Sequence, residues 1–235
     1  MLRRLLAVPI IAIGTLLLGG PSLLCGLVDR SGRWPQAVAR AWSRLILAAC
    51  GIQVAVEGAG NLPAGPAVYA ANHGSALDVP ILFGRLPVDF RIVHKRSLSL
   101  IPVLGWHLHL GGHIAIERSS PFRARRSLEL AARRIKGGTS VVVFPEGTRS
   151  ATAAVGHFKR GSLVLAINAG VPVVPVSLVG VKRVVPHGLP TLLPGRVRIR
   201  IHRPIATAGR TPDQAAAFAE EVRQVVVRGC QEEQA

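Results

Sequence analysis

An α/β domain with a central, mostly parallel or mixed sheet is the fold class this sequence predicts. Three observations carry the prediction. From about Gln53 onward, short β-rich runs alternate with helical ones, the signature of a sheet flanked by helices. Several of those runs are continuously apolar, as strands covered on both faces should be. The helical runs start and stop on capping residues. At 235 residues the chain has room for one domain with a full core and an appendage.

The appendage comes first. Residues 5–28 carry no charge, with Arg3 and Arg4 before them and Asp29, Arg30 and Arg33 after. That run is long enough to cross a bilayer as a helix. Pro9, Gly14 and Gly19-Gly20-Pro21 fit a kinked or re-entrant insertion equally well. A cleaved signal peptide is a third reading, disfavoured by the length of the run and the lack of an A-x-A-like end. Residues 34–50 read as an amphipathic helix. Ala37, Val38, Ala41, Trp42, Leu45, Ile46 and Ala49 share one face, and Gln36, Arg40, Ser43 and Arg44 the other. Arginines opposite an apolar stripe with tryptophan suit a helix lying on anionic lipid. Packing on the domain core is the equal alternative. The division is therefore 1–50, a membrane-associated helical segment, and 51–235, the globular domain with its C-terminal helix.

Within the domain, candidate strands fall at 54–57, 67–71, 90–93, 113–116, 140–144, 173–178 and 197–202. A first helix begins near Asp78 with Pro80 in its first turn. A second has Ser120 as N-cap and Pro121 at its first position, and ends at Gly137-Gly138. A third runs from about Lys159 to Ala169 and stops at Gly170. The last opens on Thr211-Pro212-Asp213-Gln214, a capping-box pattern, and runs to about Arg228.

Composition narrows the function classes. Lys and Arg number 29 against 12 Asp and Glu, a formal net charge of +17. Such a surface attracts polyanions, either nucleic acid or an anionic membrane. Aromatic residues make up only 4%, which argues against a base-stacking surface and so against nucleic acid as partner. Cys25, Cys50 and Cys230 lie far apart with no CxxC spacing. They read as small apolar fillers in a reducing compartment.

Candidate chemistry concentrates in two polar breaks. In Asn72-His73-Gly74-Ser75-Ala76-Leu77-Asp78 a histidine precedes an aspartate by five positions. Imidazole takes a proton near neutral pH, and a carboxylate beside it fixes its tautomer and stabilises its charged form. No serine or cysteine is evidently paired with His73, which points to a base acting on a substrate hydroxyl. The alternative is a helix-capping aspartate and an unrelated surface histidine. The productive geometry puts His73 in a loop and Asp78 at a helix start, where a cap also sits, so both readings of Asp78 can hold together.

The second break, Phe144-Pro145-Glu146-Gly147-Thr148-Arg149-Ser150, follows a buried strand, where α/β sheets place ligands. Arg149 offers a planar fork for phosphate, and turn amides near Gly147 add donors. The alternative is a loop in which Glu146 and Arg149 pair. Further cations stand at Lys95-Arg96, Arg118 and Lys159-Arg160, while the arginines at 123, 125, 126, 133 and 134 suit a solvated or headgroup-facing surface. The run His107-Leu108-His109-Leu110-Gly111-Gly112-His113 invites a metal reading, since alternating histidines on a strand share a face. No carboxylate accompanies it before Glu117.

These blocks resemble those of the glycerolipid acyltransferases, in particular the 1-acylglycerol-3-phosphate (PlsC-type) branch. Asn72 to Asp78 is similar to the family's NHxSxxD block, and Phe144 to Ser150 matches FPEGTRS in full. Lys95 to Gly105 looks like the K-x-x-L…P-x-x-G stretch, and Gly112 to Arg118 like the second block. Phe158-Lys159-Arg160-Gly161 resembles F-K-x-G, and Val171 to Val176 the proline-containing fourth block. Gly74 stands where glutamine is common, and Glu117 where aspartate is common.

The resemblance implies transfer of a fatty acyl group from acyl-CoA or acyl carrier protein to the free 2-hydroxyl of lysophosphatidate, giving phosphatidate for phospholipid synthesis. Another lysolipid, such as a lysophospholipid or lyso-ornithine lipid, remains an open acceptor. It further implies His73 as base and Asp78 as its orienting carboxylate. Arg118 and Arg149, with Lys95 or Lys159, would hold the phosphate, and Glu146, Gly147 and Thr148 would border the acceptor. It calls for no metal and no organic cofactor. Because thioester donors are cytosolic, the domain of 51–235 is expected on the cytoplasmic side of the inner cell membrane, against an anionic surface.

Overall fold

The computed structural model describes residues 17, 20–29, 32–101, 104–117, 120–150, 154–186 and 192–231. A seven-stranded sheet runs through the chain in the order β1-β7-β6-β2-β5-β3-β4. The strands are β1 (Ile52–Glu57), β2 (Val68–Ala71), β3 (Arg91–Lys95), β4 (Ile114–Ile116), β5 (Val141–Val143), β6 (Val173–Val179) and β7 (Gly195–Ile201). Strands β6, β2, β5, β3 and β4 are parallel, and β7 turns the sheet by pairing antiparallel with β6 and parallel with β1. The mixed sheet expected from the alternation is thus present, with every candidate strand in it.

The apolar runs explain which strands are central. Every residue of β2, β5 and β6 is buried. On β2, Tyr69 and Ala71 enter one core cluster while Val68 and Ala70 enter the other, as the strand period of two requires. Strand β7 alternates instead, burying Val197, Ile199 and Ile201 and turning arginines outward.

Helices cover both faces. They are α1 (Arg33–Ala49), α2 (Asp78–Arg85), α3 (Leu104–Leu110), α4 (Pro121–Lys136), α5 (Gly161–Ala169), α6 (Val181–Val184) and α7 (Ala215–Gln231). Ile46 and Leu47 of α1 share a core with Ile81 and Leu82 of α2. Ile135 of α4, Leu163 of α5 and Phe218 of α7 fill the other. The Ser120 hydroxyl caps α4 by accepting the Arg123 N–H at 3.3 Å. Thr211 and Gln214 form the expected capping box, but over a 3-10 turn at Pro212–Gln214 that leads into α7. The cysteines form no disulfide, and burial pushes the Cys50 thiol up, as suits a filler.

Two expectations change. His107 and His109 lie on α3, not on a strand, and residues two apart on a helix point to different sides. Among the described residues no group of three or more His, Cys, Asp or Glu side chains is placed to hold a metal. Helix α1 buries part of its polar face. Gln36 and Ser43 are buried, whereas Ala37, Ala41 and Leu45 are exposed. The arginines explain this. Arg40 donates to the carbonyls of Leu86 (3.0 Å) and Val88, and Arg44 Nε to that of Gly84 (3.2 Å). They satisfy carbonyls left open at and beyond the end of α2, where cations are favoured. Part of the apolar stripe (Ala37, Ala41 and Leu45) is left facing outward, as is Trp34 at 57% exposure, while Ile46 stays in the core and Trp42 packs against it.

Most of the uncharged run at 5–28 lies outside the described residues. Residues 20–28 are helical. Gly26 sits so close to α3 that an added Cβ would come within 2.5 Å of Leu110 Cβ. Among the described residues no helix is long and apolar enough to cross a membrane.

Candidate active site

Strand β2 lies between β5 and β6, so the chain crosses from one side of β2 to the other between β5 and β6. At such a switch point a crevice opens beyond the strand C-termini. Here the loops after β2, β5 and β6 meet in a pocket of about 140 Å³ lined by Asn72, His73, Gly74, Glu146, Ser150, Gly180 and Lys182 among others.

Asn72 begins the loop after β2. Its side-chain oxygen accepts the Leu178 N–H at 2.8 Å, and its Nδ2 donates to the Leu178 carbonyl at 3.1 Å. The side chain thereby extends the β2–β6 ladder one rung after the backbone has left it. The freed backbone of His73 turns to the loop after β5. Its N–H donates to Glu146 Oε1 at 2.7 Å, and its carbonyl accepts the Ser150 N–H at 2.8 Å.

Asp78 opens α2 and is fully buried. One oxygen, Oδ2, accepts from His73 Nδ1 (2.8 Å), Gly74 N (2.8 Å) and Ser75 N (2.9 Å). The carboxylate therefore closes the 73–75 loop rather than capping α2, which has no side-chain cap bond. Because a carboxylate oxygen only accepts, Nδ1 carries the proton and the lone pair lies on Nε2. Among the described residues Nε2 has no hydrogen-bond partner, and the ring lines the pocket. Phe144 stacks on the imidazole, centroids 4.1 Å apart and planes inclined by 23°.

Glu146 is buried and does not pair with Arg149. Its Oε2 accepts the Gly156 N–H at 3.0 Å, so both oxygens are committed to backbone. Gly147 has φ 75°, a left-handed conformation that glycine adopts without a Cβ clash, and its N–H returns to Phe144 O at 3.0 Å. The hydroxyls nearby are engaged elsewhere. Ser75 Oγ accepts from Leu77 N at 3.2 Å, and Ser150 Oγ donates to Ala154 O at 2.9 Å.

The structure thus unites His73, Asp78 and Glu146 in one hydrogen-bonded unit. Thr148, Arg149, Lys95 and Lys159 are exposed and do not line this pocket. Arg118 lies outside the described residues. Arg96 of the basic set is 3.6 Å from Glu117. Sequence reasoning missed Asn72, Phe144 and Lys182 as parts of the site. A polar residue directly after an apolar strand was the available signal for Asn72, and for Lys182 its place just beyond the end of β6.

A second pocket, of about 610 Å³, opens beside β3 and β4. Leu23 and Leu27 of the 20–28 helix, Trp106 and Leu108 of α3, and His94 and His113 line it. His113 Nδ1 accepts the Ile92 N–H at 3.0 Å. Burial, with Arg91 adding to it, pushes the His113 imidazole down to about 3, and burial also lowers His94 and His107. Burial thus favours the neutral form of these three imidazoles, and the pocket is largely apolar.

Comparison with known proteins adds three findings. Residues 53–179 match the sequence profile of the Acyltransferase family. The 1-acyl-sn-glycerol-3-phosphate acyltransferase of Saccharomyces cerevisiae is 32% identical over 209 residues, covering 88% of this chain and 69% of that protein. A chloroplastic 1-acyl-sn-glycerol-3-phosphate acyltransferase of Arabidopsis thaliana is 38% identical over 156 residues, 65% of this chain and 44% of that protein. The chain spans about half the length of such plant and algal relatives. The crystal structure of the acyltransferase PlsC from Thermotoga maritima superposes with a TM-score of 0.82 at 30% identity, covering 100% of this chain and 97% of that one.

Proposed function

This chain belongs to the acyltransferase family, and on that premise we propose that it esterifies the free 2-hydroxyl of lysophosphatidate. The acyl group comes from acyl-CoA or acyl carrier protein, and phosphatidate is the product. The observation that carries the reading is the His73–Asp78 dyad, its ring lining a pocket and, among the described residues, no serine or cysteine bonded to it. Such a base acts on the substrate's own hydroxyl.

His73 Nε2 takes the proton as the hydroxyl oxygen attacks the thioester carbonyl. Asp78 holds the ring and stabilises the imidazolium as it forms. The C–S bond then breaks, and the departing sulfur leaves as free thiol with the imidazolium's proton. No acyl-enzyme is needed, since Ser75 and Ser150 are both bonded away from the imidazole. Glu146 holds the loop that carries the base. Arg149, Lys95, Lys159 and Arg118 are the cations that the resemblance assigns to the acceptor's phosphate, the first three of them exposed. The largely apolar second pocket suits an acyl chain. The chemistry draws on no metal or organic cofactor.

Residues 1–50 form the membrane-facing segment in this reading. Leu24, Leu27, Val28, Trp34, Leu100 and Trp106 are exposed apolar side chains, and the arginine excess attracts anionic headgroups. The domain of 51–235 then works at the cytoplasmic face of the inner membrane, where thioester donors are found.

The test is a panel of acceptors (lysophosphatidate, other lysophospholipids, lyso-ornithine lipid) with long-chain acyl-CoA and acyl carrier protein, read by thiol release and product mass. Thiol release that depends on lysophosphatidate supports the proposal. Preference for a phosphate-free lysolipid would move the acceptor, and thioester hydrolysis alone would refute acyl transfer.

A further inference from the structure

Lys182 follows β6 and lines the His73 pocket. Its Nζ donates to the Ser150 carbonyl at 2.7 Å, and the N–H of that same Ser150 holds the His73 carbonyl. The ammonium is thus anchored one residue away from the backbone of the base. Its stem passes Gly74, with Cε 3.5 Å from the place a Cβ on Gly74 would occupy. Glycine at 74 leaves that path open. Glutamine, common there in the pattern this block resembles, would contend for it.

The charge on Lys182 is uncompensated. No carboxylate among the described residues lies within ion-pair distance of it. Glu146, which also lines the pocket, has both oxygens committed to the N–H groups of His73 and Gly156. An ammonium has three N–H donors, and one is engaged here. A half-buried cation with donors to spare, beside a base, in a pocket whose reactants carry phosphate, is built to receive an anion.

We propose that Lys182 is a phosphate-binding residue of this site, reached past Gly74. The inference rests on the acyl-transfer reading and names a residue outside the four blocks. The ligand is a phosphate ester, either on the lysolipid's glycerol, next to the reacting hydroxyl, or at the end of the donor's pantetheine arm remote from the thioester.

Equilibrium binding of lysophosphatidate, coenzyme A and phosphate-free monoacylglycerol to the full chain tests it, with Lys182→Met, Lys182→Arg and Gly74→Gln compared to the native protein. Lys182→Met should weaken one phosphate ligand about tenfold or more, the loss expected for a charge-assisted hydrogen bond, and leave monoacylglycerol unchanged. A loss confined to lysophosphatidate assigns the acceptor's phosphate, and one confined to coenzyme A the donor's. Lys182→Arg should recover most of the loss, and Gly74→Gln should resemble Lys182→Met. In turnover, KM for the same partner should rise by a similar factor while kcat stays within about threefold. Unchanged affinity for both phosphate ligands overturns the proposal. So does an equal loss for monoacylglycerol, which marks a structural role, or a native chain that binds neither phosphate ligand. Absence of acyl transfer by a native chain that does bind them refutes the acyl-transfer reading instead.

Discussion

Replacing Asp78 by asparagine isolates the charge of the dyad from its geometry. The asparagine oxygen can take the place of Oδ2 and keep the Gly74 and Ser75 N–H bonds that close the loop. What disappears is the negative charge 2.8 Å from His73 Nδ1. For opposite unit charges at about 3–4 Å and an effective dielectric of about 20, the attraction is about 4–6 kcal/mol. At about 1.4 kcal/mol per decade, its loss from the transition state lowers kcat by roughly three to four powers of ten. The amide nitrogen would occupy the place of Oδ1, which is buried without a hydrogen-bond partner among the described residues. Leaving that donor unsatisfied costs about 1–3 kcal/mol of stability. The assay is thiol release at saturating acyl-CoA and lysophosphatidate, paired with thermal unfolding. A folded Asp78→Asn protein with kcat within about tenfold of native would refute the role given to the carboxylate.

Three further outcomes are expected. Glu146→Gln turns one acceptor into a donor facing an N–H of His73 or Gly156. The displaced base should lower kcat by about 10²-fold, with faster amide exchange at both positions, and native kcat would count against it. His113 should make stability fall with acid. The unfolded imidazole binds a proton near 6.5, whereas the folded one stays neutral down to about 3. Between those values the unfolded chain holds more protons, so stability drops by about 1.4 kcal/mol per pH unit. Thermal unfolding of native and His113→Gln proteins from pH 7 to 5 should show a steeper slope in the native one, and parallel slopes would contradict the assignment. Gly229→Ala places a Cβ 2.4 Å from Ser177 Oγ and 2.5 Å from His202 Nε2. Overpacking of that kind costs about 1–3 kcal/mol, readable as a lower denaturation midpoint.

The strands were legible because buried strands cannot hide: β2 and β5 are uninterrupted apolar runs, and β6 is apolar but for Ser177. Helix α3 was not legible. It is short, and His107-Leu108-His109-Leu110 alternates as a strand would. The periodicity of α1 predicted the helix correctly, but the side it buries depends on the arginines finding carbonyls at the end of α2. No local pattern records those partners. The site divided in the same way. His73 and Asp78 announced themselves by spacing, whereas Lys182 reaches the pocket from a strand end more than a hundred residues downstream. Nor did any local pattern record the backbone N–H groups of His73 and Gly156 that the two oxygens of Glu146 hold.

The side-chain rung between Asn72 and Leu178 has a consequence for how this chain can vary. It ties the position of the imidazole to the β2–β6 register in the middle of the sheet. The second pocket draws on β4, α3 and the 20–28 helix, at or beside the far edge. Substitutions along residues 86–117 can therefore remodel that edge without disturbing the central anchor. With the acyl chain placed in the second pocket, as proposed above, selectivity for the chain and competence for the chemistry become separable traits, each open to selection while the other is held constant.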